Sequence, residues 1–268
     1  MKKAWTAVLV AIAVSFCAGP VAWQIVTSLR PESELLELGL PTSLSLEAYE
    51  AVFTRHAFAQ ALVSSALVAT VTAALSLVVS ATAAFALAKL RLRSRRTLLA
   101  GALACSMLPP IVTVSPLYLL MRVLGLRDEL AGLVLPYLGF ALPLAVWVLT
   151  DFFAGLPDEL YRSARVDGCN PWQALWRVYL PIAGPGLGTV MLLVFVQAWN
   201  EFLFALTFTS SPENRTVPVA IALFAAEHRE PFGEMAAASV IAALPLVFAA
   251  VLFQRWVVAG LTAGAVKE

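Results

Sequence analysis

The chain has 268 residues, of which 60% are hydrophobic and 13% charged, with a formal net charge of +1. An ordinary soluble domain is about 25% charged, so this one lacks the ionisable groups to cover a water-facing exterior. Its mean hydropathy of +0.84 agrees, and the expected fold class is an all-α polytopic membrane protein; soluble enzyme folds are excluded. A net charge so close to zero offers no basic field for nucleic acid. Cys17, Cys105 and Cys169 are an odd set at unrelated spacings, and His56 and His228 are far apart. No disulfide framework and no metal site are expected from them.

A bilayer core needs about 20 apolar residues in a helix. The first candidate span is Trp5–Leu29. It opens like a signal peptide, with Lys2 and Lys3 before an apolar run, but that run continues past Cys17 to Val26 and is too long for an h-region. It is read as a membrane helix, residues 1–29. Five further spans are expected near Ala61–Ala88, Leu98–Met121, Leu130–Phe153, Gly186–Thr209 and Met235–Val258. Six spans place both ends of the chain on one side. The loops on that side carry twelve of the 18 Lys and Arg residues, including the cluster Lys89–Arg96. The positive-inside bias makes this side cytoplasmic.

Residues 30–60 form the longest outer loop. Within it Ser45–Phe53 reads as a short capped helix whose Leu46, Tyr49, Val52 and Phe53 recur at helical spacing, as if to lie at the membrane interface. Residues 61–258 are the membrane core, and 259–268 a cytoplasmic tail.

The connection at 156–185 is far longer than the 2–8 residues that usually join neighbouring helices. Its local signals specify two short helices. Asp158 and Glu159 suit a first turn, where acidic groups complement the helix dipole. Gly168 suits a left-handed stop. Asn170, Pro171 and Gln173 read as N-cap, first helical residue and capping partner, and Leu180-Pro181 ends the second helix. Small Ser163, Ala164 and Gly168 allow close backbone approach. Trp172, Leu175, Trp176 and Tyr179 are expected to pack the second helix on the membrane domain. The physical readings left open are a peg for a cleft on another protein and a structural interfacial loop.

The spacing resembles the "EAA" loop of permease subunits of ATP-binding-cassette (ABC) importers, E-A-A, three residues, G, nine residues, I-x-L-P. Here Arg162-Ser163-Ala164 holds the triplet, Gly168 follows three residues later, and Val178-Tyr179-Leu180-Pro181 closes the pattern. Ala164, Gly168, Leu180 and Pro181 match; Arg162 stands where the family has Glu, with Glu159 almost one turn earlier. The resemblance extends from about Phe58 onward: Pro116-Leu117-Tyr118, Ala198-Trp199-Asn200-Glu201-Phe202, Arg215-Thr216-Val217-Pro218-Val219, and the ending Gln254–Lys267 are similar to family motifs, specifically of the maltose-type carbohydrate permeases.

The resemblance implies a type I ABC importer permease fold with six transmembrane helices in a bacterial inner membrane, both termini cytoplasmic. It implies a homologous second permease, two ATPase subunits and an extracytoplasmic sugar-binding protein as partners. ATP and Mg would bind the ATPases and no cofactor this chain. Coupling to the ATPase would fall to Glu159, Arg162, Ser163, Ala164, Arg165, Asp167, Gly168, Leu180 and Pro181. Gly260, Thr262, Gly264 and Lys267 in the tail would reach the ATPase dimer.

Trp199, Asn200 and Glu201 fall inside the fifth span. A charged carboxylate near the bilayer centre costs about 2.5–3.5 kcal/mol and normally faces a bundle interior or wet cavity. Two readings stand: a sugar path, with a ring to stack and polar groups for hydroxyls, or hydrogen bonds between packed helices. Pro109-Pro110 and Pro245 interrupt helical hydrogen bonds and are read as kinks or hinges. No G-x-x-x-x-G-K-[ST] phosphate loop occurs, and no nucleophile–base pair stands out, so the chain is read as non-catalytic. The alternatives are an ion-coupled secondary transporter and an ABC permease for a polyol or glycerol phosphate.

Overall fold

In this computed structural model the residues described are 2–35, 39, 41–90, 92–227 and 232–265, with backbone alone for 2–4, 225–227 and 258–265. The chain is helical along most of its length. In order it forms α1 (Lys2–Ser28), α2 (Glu47–Thr54), α3 (Phe58–Lys89), α4 (Arg95–Ser106), α5 (Pro110–Val123), α6 (Leu130–Gly155) and α7 (Asp158–Val166). Then α8 (Pro171–Ala174) runs through a π-helical turn, Leu175–Tyr179, into α9 (Leu180–Ile182). The series ends with α10 (Gly184–Trp199), α11 (Leu203–Phe208), α12 (Val217–Glu227) and α13 (Phe232–Ala265).

Among the described residues, four helices are long and apolar enough to cross a membrane alone: α1, α3, α6 and α13. The other two expected spans are broken. α4 and α5 meet at 89°, and the 171–182 segment meets α10 at 83°. Pro109 and Pro110 therefore do more than kink a helix. Pro110 cannot donate to a preceding carbonyl, and Pro109, extended at ψ 125°, precedes it; the chain leaves one helix and starts another. The fifth span also differs from expectation. α10 stops at Trp199, and the chain turns at Asn200–Phe202 before α11. In the sixth, the helix continues past Val258 to Ala265, so the backbone of 259–265 extends α13.

The packing is of membrane type. α3 buries its small residues, among them Ser65, Ala69, Thr72, Ala73, Ser76 and Ala84, and exposes Val63, Leu67, Leu75 and Val78. Small faces let backbones approach where lipid removes the usual hydrophobic drive, while large apolar groups meet acyl chains. α3 packs on α6 and α10, and α10 on α13. The Phe152 ring lies over Gly186 and the Trp256 ring over Gly188, so a methyl group at either site would collide with an aromatic face. α1 is peripheral: it packs on α13 and leaves residues 5–23 exposed.

Two buried cores result. One holds Phe58, Met121, Leu133, Trp199, Phe208 and Phe224. The other holds Phe85, Leu149, Phe153, Leu175, Tyr179 and Val190. Phe195 touches both. The short α2 forms as expected, but its face is divided. Val52 is fully buried and the Tyr49 hydroxyl is 2.8 Å from the Ser28 hydroxyl, while Leu46 and Phe53 remain exposed. The helix is held by α13 and α3 rather than merely resting on a lipid surface.

Candidate functional site

The 156–185 loop forms the helix–turn–helix that its sequence specifies. Asp158 and Glu159 occupy the first turn of α7. Gly168 has φ +82°, a conformation that costs an L-residue about 1–2 kcal/mol. The Cys169 amide donates to the Ala164 carbonyl at 2.9 Å and the Gly168 amide to Arg165 at 3.2 Å. This paired closure satisfies carbonyls that a helix end otherwise leaves open. Arg165 Nη1 also donates to the Cys169 carbonyl at 2.7 Å. Asn170 Oδ1 then accepts from the Gln173 amide at 2.8 Å, and Gln173 Oε1 from the Asn170 amide at 2.9 Å, completing the expected capping box.

The turn projects. Arg162, Ser163, Arg165, Val166, Asp167 and Gly168 are exposed, as is Glu159, whereas Ala164 is buried. Arg162 forms no ion pair among the described residues. Leu180 is half-buried and Pro181 exposed, and the helix runs one residue further than expected, to Ile182. The packing expectation for the second helix holds for half its residues. Leu175 and Tyr179 are buried, but Trp172 and Trp176 are exposed and tilt against each other at 5.8 Å.

Sequence reasoning missed the group that ties this loop to the bundle. Lys89, the last residue of α3, is 2% exposed in its side chain. Nζ donates to the Leu156 carbonyl and to Asp158 Oδ1, both at 2.7 Å. Stripping water from an ammonium costs several kcal/mol unless it is paired and hydrogen-bonded, and here both conditions are met. Beside it opens a cavity of about 490 Å³ lined by Ala88, Lys89, Leu90, Asp158, Tyr161, Arg162 and Arg165. The available signal was the position of a single Lys at the end of a 32-residue apolar helix, but neighbouring Arg91–Arg96 hid it within a basic cluster.

A second cavity, about 460 Å³, lies at the breaks in the two interrupted spans. Pro110 and Ile111 line it from one break, Asn200, Glu201 and Phe202 from the other, with Tyr137, Phe140 and Gln197 from α6 and α10. Its size falls within the ~300–1,000 Å³ of small-molecule sites. The three residues expected on a path separate here. Trp199 is 3% exposed, stacks on Phe195 at 5.7 Å and does not line the cavity. Asn200 is exposed and lines it, while its amide nitrogen donates to the Val196 carbonyl at 2.8 Å. Glu201 lines it too, and its oxygens accept from the Phe204 and Ala205 amides at 2.9 and 3.2 Å. The carboxylate is thus placed at the start of α11 rather than in mid-helix, and it satisfies donors that the new helix leaves open. Tyr137, which sequence reasoning did not select, brings a buried hydroxyl to the same lining, with the Glu201 carboxylate as its neighbour.

Of the tail residues, Gly260, Thr262 and Gly264 have backbone in α13, and Lys267 lies outside the described residues. Among the described residues, no three His, Cys, Asp or Glu side chains are grouped to hold a metal.

Comparison with known proteins decides the family. A family model described as binding-protein-dependent transport system inner membrane component matches residues 76–263. The chain belongs to that family. It is a membrane-embedded permease subunit of an ABC importer, which sets aside an ion-coupled secondary transporter. Relatives of this permease include the trehalose transport system permease protein SugB of Mycobacterium tuberculosis, 39% identical over 99% of this chain and 98% of that one. The trehalose/maltose permease MalG of Thermococcus litoralis is 39% identical over 97% and 94%. The sulfoquinovosyl glycerol permease SmoH of Agrobacterium fabrum is 38% identical over 92% and 88%. A chain of a bacterial ABC transporter that imports alginate shares the fold, with a TM-score of 0.76 at 24% identity, covering 95% of this chain and 96% of its own length.

Proposed function

We propose that this permease subunit imports a di- or oligosaccharide. It forms the path with a homologous second permease, receives the sugar from an extracytoplasmic binding protein, and is driven by two ATPase subunits that bind ATP and Mg. The termini and the 158–182 helix–turn–helix lie in the cytoplasm, and the loop docks on an ATPase. Closure of the ATPase dimer pushes the turn at Gly168, and the membrane helices switch between inward- and outward-facing arrangements, a two-state element biased from a distant site. Glu159, Arg162, Ser163, Ala164, Arg165, Asp167, Leu180 and Pro181 form the docking region. Gly260, Thr262, Gly264 and Lys267 reach the ATPase dimer from the end of the chain.

The observation that carries this reading is the projecting turn. Its helix end is closed by backbone bonds from Gly168 and Cys169, and Arg162, Ser163 and Asp167 are left exposed around it. The sugar assignment is supported by relatives named for trehalose, maltose and diacetylchitobiose. The cavity at the helix breaks also suits sugar, since Phe140 and Phe202 offer apolar faces and Gln197, Asn200 and Glu201 offer hydrogen-bonding groups. Proteoliposomes containing the four-subunit assembly test the reading. Uptake of labelled trehalose or maltose is expected only with lumenal-side ATP and the binding protein on the opposite face. Uptake by this chain alone on a proton or sodium gradient would refute it.

A further inference from the structure

The membrane helices meet the helix–turn–helix at a hinge. Leu156 and Pro157 are both extended, with ψ 143° and 138°, and they alone link α6 to α7 covalently. Such a link transmits little direction by itself, because α7 can swing about it. Two residues of α3, one turn apart on the same face, close that freedom. The Phe85 ring meets Phe153 of α6 at 6.3 Å, Tyr161 of α7 at 5.9 Å and Tyr179 of the π turn at 5.0 Å. Lys89 repeats this set with a polar group: it bonds the Leu156 carbonyl at the end of α6 and the Asp158 carboxylate at the start of α7, and lies 5.8 Å from the Tyr179 ring.

The edge-to-face ring contacts are individually weak and tolerate small shifts, whereas two charge-assisted bonds of 2.7 Å fix an angle. Resting on the import reading above, we infer that Lys89 is a positioning residue for transport: the joint through which displacement of the projecting turn becomes movement of α3 and α6. Asp158 is 66% exposed, so a neutral side chain at position 89 strands no buried carboxylate, and α7 loses this tie without being unfolded. The joint therefore matters to the conversion of ATP hydrolysis into movement more than to the presence of the fold.

The test is the number of sugar molecules imported per ATP hydrolysed, in proteoliposomes of the complete assembly with its binding protein. Lys89→Met keeps the length of the side chain without its charge. It should retain ATP hydrolysis and lower the ratio about tenfold, within the 5–150-fold range of typical coupling. Asp158→Asn, at an exposed position, should lower it in the same direction and supplies the answer if Lys89→Met fails to assemble. Lys89→Arg, which keeps the charge and donors, should restore most of the ratio. If uptake and hydrolysis fall in parallel with the ratio unchanged, Lys89 is a structural anchor and the joint is overturned. If the wild-type assembly shows no ATP-driven uptake, it is the import reading that fails.

Discussion

The two ends of the bundle handle their polar groups in opposite ways. At the end away from the helix–turn–helix, Glu234 and Asp128 are tied to neighbouring loops. Glu234 at the start of α13 takes Arg55 Nη1 at 2.9 Å and His56 Nε2 at 2.6 Å, and the His56 ring stacks on Phe224 at 3.8 Å. Asp128 accepts the Ser210 and Ser211 amides at 2.7 and 3.0 Å. The Ser64 hydroxyl reaches the Glu213 carbonyl, and the Val217 amide the Ser65 hydroxyl. At the other end Lys89 is tied inward, while Arg162, Arg165 and Asp167 stay exposed, Arg165 bonding only the carbonyl of Cys169 in its own turn among the described residues. One end ties these groups into its own loops, and the other leaves its polar groups exposed, which is what the docking proposed above requires.

The sharpest way to break this contrast is at Gly168. An Asp there meets a φ of +82°, which costs about 1–2 kcal/mol, and adds bulk and charge at the tip of the turn. Gly168→Asp should leave membrane insertion largely intact and reduce sugar uptake by at least about tenfold while ATP hydrolysis continues. Wild-type uptake in that variant removes the turn from the mechanism. A matched lesion at the opposite end should act differently. His56 is 1% exposed in its side chain, so Glu234→Ala leaves a buried ring nitrogen without this acceptor, at a cost of about 1–3 kcal/mol. The melting temperature of the purified subunit should fall, with uptake and hydrolysis declining together. A selective loss of sugar per ATP in Glu234→Ala would mean that both ends transmit motion.

Glu201 sits between the two ends and sharpens the contrast at smaller scale. Glu201→Gln keeps one acceptor oxygen for the Phe204 and Ala205 amides and loses about 0.3–1 kcal/mol of helix-dipole interaction. If the carboxylate serves only α11, uptake at saturating sugar changes little. If it also binds cargo, the sugar concentration for half-maximal uptake rises several-fold in Glu201→Gln while stability barely moves. Uptake kinetics measured beside a melting curve separate these two roles.

How much of this was legible in the sequence depends on range. Signals confined to a few residues were read correctly: Gly168, the Asn170–Gln173 box and the acidic first turn of α7 all act over one helical turn. The apolar lengths of the long spans were legible because bilayer thickness sets them. The break at Asn200–Phe202 was not. Apolar residues flank it on both sides, and only the folded chain shows that Glu201 caps a new helix. Trp199 misled for the same reason, since an aromatic beside polar groups gives no hint of whether it faces a cavity or packs on Phe195. Lys89 with Asp158, and His56 with Glu234, join residues 69 and 178 apart. No local pattern encodes such pairs.

The smallest expected effect belongs to Asp128, and it carries a sign. Bonds from the Ser210 amide and the Ser211 hydroxyl, foremost among its contacts, hold its carboxyl below the usual carboxylate range, against a smaller opposing effect of burial. A group whose acidity is raised by folding supports the fold above its unfolded pKa of about 3.9 and loses that support as pH falls through its lower folded value. The knot that ties residue 128 to the 210–214 turn should therefore stay closed at neutral pH and loosen only below about pH 4. Hydrogen exchange at the Ser210 and Ser211 amides reads this directly. Their protection in the wild type should fall on acidification, while Asp128→Asn should show weaker protection at neutral pH and little further change. Because the side chain is largely hydrated, the effect is local and should leave the melting temperature nearly unchanged. Protection that persists unaltered in Asp128→Asn would show that the turn is held by its backbone alone, and that end would then owe its rigidity to packing around Phe208 rather than to its polar groups.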